Sequence, residues 1–529
     1  MNFHTLGKLI VLICLLINLA GCASTSPLPD STKSRDKKTN EPYGVSSSNP
    51  IAIDAGMSVL ENGGNAVDAA IAISYVLGVV EPFGSGLGGG GGMLIAPVSG
   101  EAHFIDYRET APSTTEGESY SGIPGLVAGM QYAHDQYGSL TMKTLLQPAI
   151  DYAENGFRVD QGLNARLANA KSRVYSSETS LFYPNGKAIK PGQTLIQKDL
   201  AKTLKIIQKE GPDGFYKGEI AQGIKGMTNI SLKDLKKYQV KERRPVQGTY
   251  AGYDVYTAPP PFSGVTLLQM LKLAEETNLS QSPSEAKYLK QMEAIVETAY
   301  EERAEHIADD VDAERAERLI ENDHITKLKN DIQSGRLRNE RNNLEEHEST
   351  THFVVIDKEG TVVSATNTLS NFFGSGNYTN GFFLNDQLKN FGESGINARE
   401  PFKRSRTFTA PTVLKKQGEE TIGIGSPGGN RIPQILMQVL YSYRTEENTF
   451  QTIIDRGRFA FSHNIIYTEF LFSKETTKAL EKDGFEIVHK VSPMYYGGVQ
   501  VLLKNEENNT ISGAGDPRRN GSWKAEQQE

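Results

Sequence analysis

A polar-to-apolar run, Glu348-Ser349-Thr350-Thr351-His352-Phe353-Val354-Val355-Ile356-Asp357, carries the strongest strand signal in this chain. Its β-branched and aromatic residues predict a strand over Thr351–Asp357, and the Lys358-Glu359-Gly360 sequence that follows is typical of a turn. A second run of the same character, Thr361–Thr368, completes a predicted β-hairpin. The preceding residues, Gly335–Ser349, are polar without a core pattern and predict an exposed loop. Taken alone, the two threonines indicate only that β-branched residues open a strand.

Two helices are predicted far upstream of the hairpin. The first begins near Pro50 and is stopped by Gly63-Gly64. Asn65 is placed to cap the second helix, Ala66–Val80, with Asp68 at its third position. This second helix is apolar on most sides, so we expect it to be buried.

A glycine-rich segment, Gly84–Gly92, follows these helices and satisfies the pattern G-x-G-x-x-G. A dinucleotide-binding loop runs from a strand into a helix. Here a helix precedes the segment and a strand, Met93–Ala96, follows it, so we do not predict a nucleotide site. We expect a loop whose backbone approaches another backbone or a ligand closely.

Composition narrows the class of protein. The 529 residues are 38% hydrophobic and 23% charged with a net charge of −8, which excludes a collagen-like, wholly disordered or polytopic membrane protein and argues against nucleic acid as a partner. The two cysteines, Cys14 and Cys22, both precede the body, so the body has no disulfide, cysteine nucleophile or cysteine metal site. The nine histidines lack ligand spacing, and we predict neither a metal nor a cofactor.

The N-terminus has the pattern of an export signal. Lys8 is followed by an apolar run, Leu9–Ala20, which is too short to span a membrane. The run ends in Leu19-Ala20-Gly21-Cys22, which resembles a bacterial lipoprotein cleavage site. We therefore expect a signal peptide over residues 1–21, a lipid on Cys22, a disordered tether over residues 22–49, and an extracytoplasmic protein anchored to the cell membrane. An uncleaved anchor and an ordinary signal peptide are the alternatives.

Several short motifs in the body occur in a characteristic order. They are Asn65-Ala66-Val67-Asp68-Ala69-Ala70, Gly84–Gly92, Asp106-Tyr107-Arg108-Glu109, Ile123-Pro124-Gly125, Pro259-Pro260-Pro261, Thr350-Thr351-His352 and Gly425-Ser426-Pro427-Gly428-Gly429. Together they resemble the γ-glutamyltranspeptidase family of N-terminal-nucleophile hydrolases, over residues 43–523. Three further runs are most similar to family members that act on capsular poly-γ-glutamate: residues 348–353, 374–391 and 515–521.

The resemblance implies an α+β, four-layer αββα N-terminal-nucleophile hydrolase fold made by a precursor that cuts itself between Ser349 and Thr350. The products would be a large subunit, residues 50–349, and a small catalytic subunit, residues 350–529. The new α-amine of Thr350 would have a pKa of about 7.7–8.0. That pKa suits it to accept the proton of the threonine hydroxyl, which is otherwise a poor nucleophile.

The resemblance also implies which residues act in catalysis. Thr350 is the nucleophile, and Thr368 matches a second threonine that hydrogen-bonds to it. Gly428 and Gly429 match the oxyanion hole, in which backbone N–H groups stabilise the developing negative charge.

Substrate binding is implied at a second group of positions. Arg108 matches the arginine that reads the substrate α-carboxylate, a task for which a guanidinium is well shaped, and Gln387 matches a further substrate contact. The alternative for Arg108 is a surface ion pair with Glu109 or Asp106. We further expect three cations near the motifs to bind additional carboxylates of a polymer: Arg431, Arg518 and Arg519.

Three positions depart from the glutathione-cleaving members of the family. Asn390 replaces an aspartate that pairs with the free α-ammonium of the substrate, Ser370 replaces an asparagine, and Thr407-Phe408 replaces a serine pair. An internal residue of poly-γ-glutamate has no free ammonium, because its nitrogen is an amide. A carboxylate there would be unpaired and would repel the acids of the polymer, whereas Asn390 keeps hydrogen bonding without charge.

The sequence therefore predicts a γ-glutamyl transpeptidase/hydrolase. Its donor would be poly-γ-glutamate or a γ-glutamyl peptide, and its acceptor water or a cell-wall amine, specifically peptidoglycan. A glutathione-type γ-glutamyltransferase is the alternative within the family. A non-catalytic surface lipoprotein that only binds anionic polymer is the alternative from another class.

Overall fold

In a computed structural model of the chain, residues 41–114, 119–335 and 349–527 are described. The strands of these residues are β1 (Tyr43–Ser47), β2 (Gly90–Ala96), β3 (His103–Asp106), β4 (Phe157–Arg158), β5 (Thr194–Leu195), β6 (Lys241–Arg243), β7 (Val246–Tyr250), β8 (Tyr253–Thr257), β9 (Thr351–Ile356), β10 (Val362–Thr368), β11 (Tyr378–Thr379), β12 (Phe382–Phe383), β13 (Thr412–Lys416), β14 (Glu420–Gly425), β15 (Phe459–Ser462), β16 (Ile465–Thr468), β17 (Glu486–His489), β18 (Gln500–Asn505), β19 (Thr510–Gly515) and β20 (Ser522–Glu526).

The α-helices of the same residues are α1 (Pro50–Glu61), α2 (Ala66–Val80), α3 (Leu126–Tyr137), α4 (Met142–Asn155), α5 (Gln161–Val174), α6 (Lys198–Glu210), α7 (Pro212–Tyr216), α8 (Gly218–Met227), α9 (Leu232–Lys237), α10 (Gly264–Glu276), α11 (Glu285–His306), α12 (Ala313–Glu317), α13 (Asn322–Gln333), α14 (Ile432–Thr445), α15 (Phe450–Ile454) and α16 (Lys474–Lys482). Short 3₁₀ turns include Gln387–Asn390 and Gly429–Arg431.

Two antiparallel sheets form the centre of the described chain. The first has the strand order β20-β1-β9-β10-β2-β3-β6, and the second has the order β19-β18-β14-β13-β8-β7. The predicted hairpin is confirmed as β9 and β10, whose register pairs Asn367 with Thr351. Because the two strands run in opposite directions, the start of β9 lies beside the end of β10.

The side chains of β9 show why this strand is apolar on both faces. Phe353 and Val355 belong to a core that includes α1 and α2, whereas Val354 and Ile356 belong to a core shared with the second sheet. Successive strand residues point to opposite faces. A third core packs the other face of the second sheet against α10, α11 and α14, so the layer order is helix, sheet, sheet, helix.

The predicted cap of α2 is confirmed in detail. The side chain of Asn65 accepts hydrogen bonds from the N–H groups of Val67 and Asp68, and the Asp68 carboxylate accepts from the N–H of Asn65. Nearly every residue of α2 is buried, because one side faces the first sheet and the other sides face α1 and α4.

The glycine-rich segment lies against β10 and the chain after β3, which confirms the expected close approach. A Cβ on Gly89 would lie 2.1 Å from the carbonyl oxygen of Thr368, and one on Gly91 would lie 2.3 Å from that of Thr366. No side chain fits at those distances. Glycine at these positions therefore lets β2 and the loop before it lie directly beside β10, which ends at Thr368.

The predicted tether is wrong for its last residues. Tyr43–Ser47 forms β1, which is wholly buried between β9 and β20. Residues 22–40 of the predicted tether, the signal peptide, and residues 336–348 of the predicted loop lie outside the described residues. Among the described helices none is both long and apolar enough to cross a membrane.

Candidate active site

Thr350 and Thr368 meet where the β9–β10 hairpin opens. The Oγ1 atoms of the two threonines are 3.3 Å apart, and both residues are buried. The hairpin register produces this contact, since Thr351 pairs with Asn367 and each threonine is the next residue outward. Thr368 is 4% exposed, so it is not a strand threonine that faces solvent.

The peptide bond between Ser349 and Thr350 lies within a set of hydrogen bonds. Its carbonyl oxygen, on Ser349, accepts from the hydroxyl of Thr368 at 3.0 Å and also from the hydroxyl of Thr350 itself. The Ser370 N–H in turn donates to Thr368 Oγ1 at 2.9 Å. Donors aimed at this carbonyl favour negative charge on its oxygen, the charge that develops when a nucleophile adds to the carbon.

Ser349 itself is anchored on the other side by the glycine-rich loop. Its hydroxyl donates to the carbonyl oxygens of Phe83 at 2.7 Å and Gly84 at 3.1 Å, and its N–H donates to the carbonyl of Ser370 at 3.2 Å. Gly84 also fits closely against Thr351, since a Cβ there would lie 2.8 Å from its methyl group. The bond before Thr350 is therefore held on both sides rather than exposed as a free loop.

A glycine turn follows β14 on the opposite wall. Gly428 and Gly429 have φ angles of 141° and 60°, in the region that favours glycine. Gly429 lines the same cleft as Thr350. The structure therefore brings Gly429 to the nucleophile candidate. Its neighbour Gly428 packs closely against Gly497, since a Cβ on Gly428 would lie 3.2 Å from the Cα of Gly497.

The cleft around Thr350 is narrow in the uncut chain, with a volume of about 20 Å³. It contains most of the residues that the sequence analysis assigned to the site. Its lining residues are Ser349, Thr350, Thr368, Ser370, Gln387, Asn390, Thr407, Phe408, Thr409, Gly429 and Ile432.

Arg108 is fully buried next to this cleft. Its Nη2 donates to the hydroxyl of Ser405 at 3.3 Å, and Gln387 Nε2 donates to the same hydroxyl at 3.2 Å. The Nε and Nη1 groups of Arg108 have no hydrogen-bond partner among the described residues. Donors of this kind are costly to leave unmet in a buried position and are suited to a carboxylate ligand.

Glu109 gives Arg108 only partial compensation. Its Oε2 is 3.5 Å from Arg108 Nε, and both side chains are buried, so the pair is not the surface ion pair considered as an alternative. Burial raises the pKa of Glu109 to about 7, against the opposing effect of Arg108. Burial likewise lowers the pKa of Arg108, with Glu109 and Asp106 opposing. The 3.5 Å contact with Glu109 thus leaves donors of the buried Arg108 guanidinium without a hydrogen bond among the described residues.

Three positions that depart from the glutathione-cleaving pattern lie together in the cleft. Ser370 adopts a φ of 78°, Thr407 is 6% exposed, and Asn390 ends the short turn that begins at Gln387. The Oδ1 atom of Asn390 is buried without a hydrogen-bond partner in the described chain, while its backbone carbonyl accepts from Asn397 at 2.7 Å. The fixed backbone and unmatched side-chain oxygen make Asn390 available to a ligand.

The three arginines expected to bind further carboxylates do not line the cleft. Arg518 donates to Glu469 at 2.6 Å and to Asp516 at 3.3 Å, so its charge is already matched. Arg431 donates to the carbonyl of Tyr495 at 2.6 Å and lies on its ring, and Arg519 donates to the carbonyl of Met494 at 2.8 Å. Each of these cations therefore has contacts inside the protein, and the expectation that the three arginines bind further carboxylates stays a prediction.

Three residues of the site were missed by the sequence analysis, and one of them, Ile432, adds an apolar side chain to the lining of the cleft. Ser405 joins Arg108 to Gln387, and Thr409 lies in the cleft with its Oγ1 3.2 Å from that of Thr407. Neither has a local signal beyond its place near Thr407.

No group of three or more potential metal ligands occurs in residues 41–114, 119–335 or 349–527.

Comparison with known proteins identifies the class. The fold is similar to that of a cephalosporin acylase from Bacillus halodurans, with a TM-score of 0.81 and 24% identity over 92% of this chain and 96% of that one. The gamma-glutamyltranspeptidase family model matches residues 52–525. The chain therefore belongs to the gamma-glutamyltranspeptidase family and has the N-terminal-nucleophile hydrolase fold.

Two relatives cover the chain almost completely. It is 54% identical to the capsule biosynthesis protein CapD proenzyme of Bacillus anthracis, over 99% of this chain and 100% of that protein. It is 33% identical to the glutathione hydrolase proenzyme of Escherichia coli (strain K12), over 90% of each. Both relatives are proenzymes, and this chain is a self-processing enzyme of the γ-glutamyl transpeptidase/hydrolase class.

Proposed function

We propose that Thr350 is the nucleophile of this enzyme and that its donor is poly-γ-glutamate. The observation that carries the choice of donor is Asn390, a neutral side chain with an unmatched buried oxygen in a cleft beside Arg108. A glutamyl residue inside the polymer offers an amide N–H where a free glutamyl residue offers an ammonium. The carboxamide oxygen of Asn390 can accept from that N–H, and no carboxylate is present there to repel the polymer.

Self-cleavage is the first reaction of the proposed sequence. The Thr350 hydroxyl adds to the carbonyl carbon of Ser349, the C–N bond breaks, and the acyl group moves to Oγ1 while the nitrogen becomes a free amine. Water then hydrolyses the ester, giving the carboxylate of Ser349 and the hydroxyl of Thr350. Thr368 supports this step, because its hydroxyl already donates to the Ser349 carbonyl oxygen.

Donor cleavage then uses the amine that self-cleavage creates. The amine takes the proton of the Thr350 hydroxyl, whose oxygen attacks the γ-carbonyl of a glutamyl residue. Backbone N–H groups of Gly428 and Gly429 stabilise the oxyanion, and Arg108, with Gln387 and Ser370 in the same cleft, receives the α-carboxylate. The protonated amine gives its proton to the leaving nitrogen, and water or an acceptor amine releases the acyl group.

The location of the reaction is part of the proposal. A signal peptide over residues 1–21 and a lipid on Cys22 would hold the enzyme outside the cell membrane, where the polymer is joined to an amine of peptidoglycan. The similarity to a capsule biosynthesis proenzyme supports this setting.

Incubation with purified poly-γ-glutamate tests the proposed function. The wild-type enzyme should shorten the polymer and, with a labelled amine, incorporate that amine in the same time course. Arg108→Met should self-cleave normally but lose at least about a hundredfold in kcat/KM, because a charge-assisted bidentate contact is lost from a buried site. If the polymer stays intact while glutathione is cleaved, the enzyme is of the glutathione type. If neither changes in self-cleaved protein, the enzymatic proposal fails.

A further inference from the structure

Arg303 is a buried cation with no acidic partner in the described chain. It lies in the last turn of α11 and is 6% exposed. Its Nε donates to the hydroxyl of Ser263 at 2.7 Å, and its guanidinium carbon lies 3.7 Å from the ring centroid of Phe408. A guanidinium keeps its charge in proteins, and burying a charge without a counterion is unfavourable.

The groups around Arg303 increase this imbalance. Burial lowers the pKa of Arg303, and the nearby cations Arg406 and Arg108 act in the same direction. Arg406 is better compensated, because its Nη1 donates to the carbonyl oxygens of Ala304 and Arg303 at the C-terminal end of α11, where the helix dipole is negative. Among the described residues, the Arg303 side chain contacts the Ser263 hydroxyl and the Phe408 ring, and nearby Tyr300 opposes the lowering of its pKa.

Arg303 stands directly behind one wall of the candidate active site. Phe408 and Thr407 line the cleft, and the Ser263 hydroxyl that holds Arg303 also donates to the carbonyl oxygen of Thr407 at 2.7 Å. The ring of Phe408 therefore lies between the Arg303 guanidinium and the cleft. Arg303 and Thr407 are each only 6% exposed, so the electrostatic attraction of an anion in the cleft is screened less than it would be at the protein surface.

We propose that Arg303 is a specificity-determining residue that selects donors by the unit upstream of the reacting glutamyl residue. In a γ-linked polymer the α-carbon of the reacting residue bears both the carboxylate and the amide nitrogen, and the nitrogen carries the preceding glutamyl unit. With the carboxylate at Arg108 and the nitrogen at Asn390, that unit lies along the wall made by Thr407 and Phe408. Its own α-carboxylate is the anion that Arg303 attracts.

This inference rests on the proposed function, and it goes further by assigning a second subsite. Two synthetic donors separate the two ideas. One is γ-glutamyl-γ-glutamyl-p-nitroanilide, and the other is 4-aminobutyryl-γ-glutamyl-p-nitroanilide, which lacks only the upstream carboxylate. Both have the same reacting residue and leaving group, so the ratio of their kcat/KM values measures the contribution of that one carboxylate.

The wild-type enzyme should prefer the first donor by about tenfold or more, the size of one favourable charge contact of about 1.4 kcal/mol. Arg303→Gln should reduce the ratio to below about threefold, and Arg303→Lys, which keeps the charge, should retain most of it. Arg244→Gln is the matched control, since it removes one positive charge from an exposed pair with Glu317 and should leave the ratio unchanged. Self-cleavage should occur in all these variants.

Several results would overturn the inference. The inference is wrong if the wild-type enzyme has nearly equal kcat/KM values for the two anilides. It is also wrong if the folded Arg303→Gln variant keeps the wild-type ratio of these values. Should that variant not fold, Ser263→Ala removes the hydroxyl that holds Nε and should lower the ratio at least threefold; an unchanged ratio there is equally decisive. Failure of the wild type to cleave either anilide or the polymer would instead contradict the proposed function.

Discussion

The hydroxyl of Thr368 lies 3.0 Å from the carbonyl oxygen of Ser349 and donates a hydrogen bond to it. The residue that ends β10 thus contacts the bond that precedes β9. The contact exists in the uncut chain, where Ser349 and Thr350 are still joined, and it forms without any bound substrate.

We expect the purified precursor to yield a C-terminal fragment that begins at Thr350. The reason is that the Thr350 hydroxyl already contacts the carbonyl of the bond to be cut. Thr350→Ala should stay whole, whereas Thr350→Ser, which keeps a hydroxyl, should cleave. N-terminal sequencing checks the result, and another start site or cleavage of Thr350→Ala would contradict the mechanism.

Thr368→Val should slow self-cleavage by roughly 10²–10³-fold, the usual cost of removing one donor from an oxyanion. The methyl group that replaces the hydroxyl preserves the shape, so the fold should be kept. Thr421→Val is the matched control. Thr421 lies on β14 in the second sheet and donates a hydrogen bond to Glu506, so this variant should cleave itself at the wild-type rate. Cleavage followed on denaturing gels measures both rates, and equal rates would exclude a role for Thr368.

Asn390→Asp should lower the kcat/KM for poly-γ-glutamate by roughly ten- to a hundredfold, since an unpaired like-charge contact costs about 1–3 kcal/mol. Small γ-glutamyl amides with a free α-amine should lose less activity or gain some, because the new carboxylate can pair with the ammonium. Self-cleavage should be unaffected. The measurement is the kcat/KM ratio of the two donors, and an unchanged ratio would remove the main support for a polymeric donor.

His352 should make folding sensitive to acid. It is fully buried between the sheets with Nδ1 2.8 Å from Thr366 Oγ1, and burial lowers its pKa to about 3. The unfolded chain takes up a proton near pH 6.5 and the folded chain does not, so stability is complete above about pH 6.5 and falls as the pH decreases toward 3. The slope from this one group approaches about 1.4 kcal/mol per pH unit.

The test compares unfolding free energies at several pH values in wild type and His352→Gln, both with the Thr350→Ala change so that the chain stays intact. The glutamine variant is expected to start less stable but to lose less stability between pH 6 and pH 4. Parallel pH curves would show that His352 does not titrate on unfolding.

Cys22→Ala should release the protein into the medium if a lipid on this residue is the anchor. Cys22 lies outside the described residues, so this prediction rests on the sequence alone. Fractionation of cells and medium measures the outcome, with Cys14→Ala as the control. Retention of Cys22→Ala on the membrane at unchanged yield would show that the lipoprotein interpretation is wrong.

Local signals account for what the sequence could predict. The hairpin that brings Thr350 to Thr368 and the cap at Asn65 depend on residues near one another in the chain. The run of glycines at Gly84–Gly92 signals a close approach by its composition, although the strand it packs against, β10, lies far along the chain. β1 could not be predicted in this way, since its partners β9 and β20 are more than 300 residues away. Its residue Ser46 looks like linker sequence but is satisfied by Gln500 at 2.9 Å.

The same limit applies to charged residues. The sequence shows that Arg518 is positive but not that Glu469 lies beside it. It shows Arg303 in a charged helix but not that this side chain packs on Phe408 without an acidic partner in the described part of the chain. A charge pattern reveals the number of cations near a motif, whereas function depends on which of them are already paired.

The strand order has a consequence for how the enzyme is made. In the first sheet β9 and β10, which follow the Ser349–Thr350 bond, lie between β1 and β2, which precede it, and in the second sheet β13 pairs with β8. Before the cut, one chain can assemble these sheets with its two halves at high effective concentration. If the cut falls at this bond as proposed, reassembly from the unfolded state would require two chains to meet and would depend on protein concentration. The precursor would then fold in a unimolecular reaction, whereas the mature enzyme would refold in a bimolecular one.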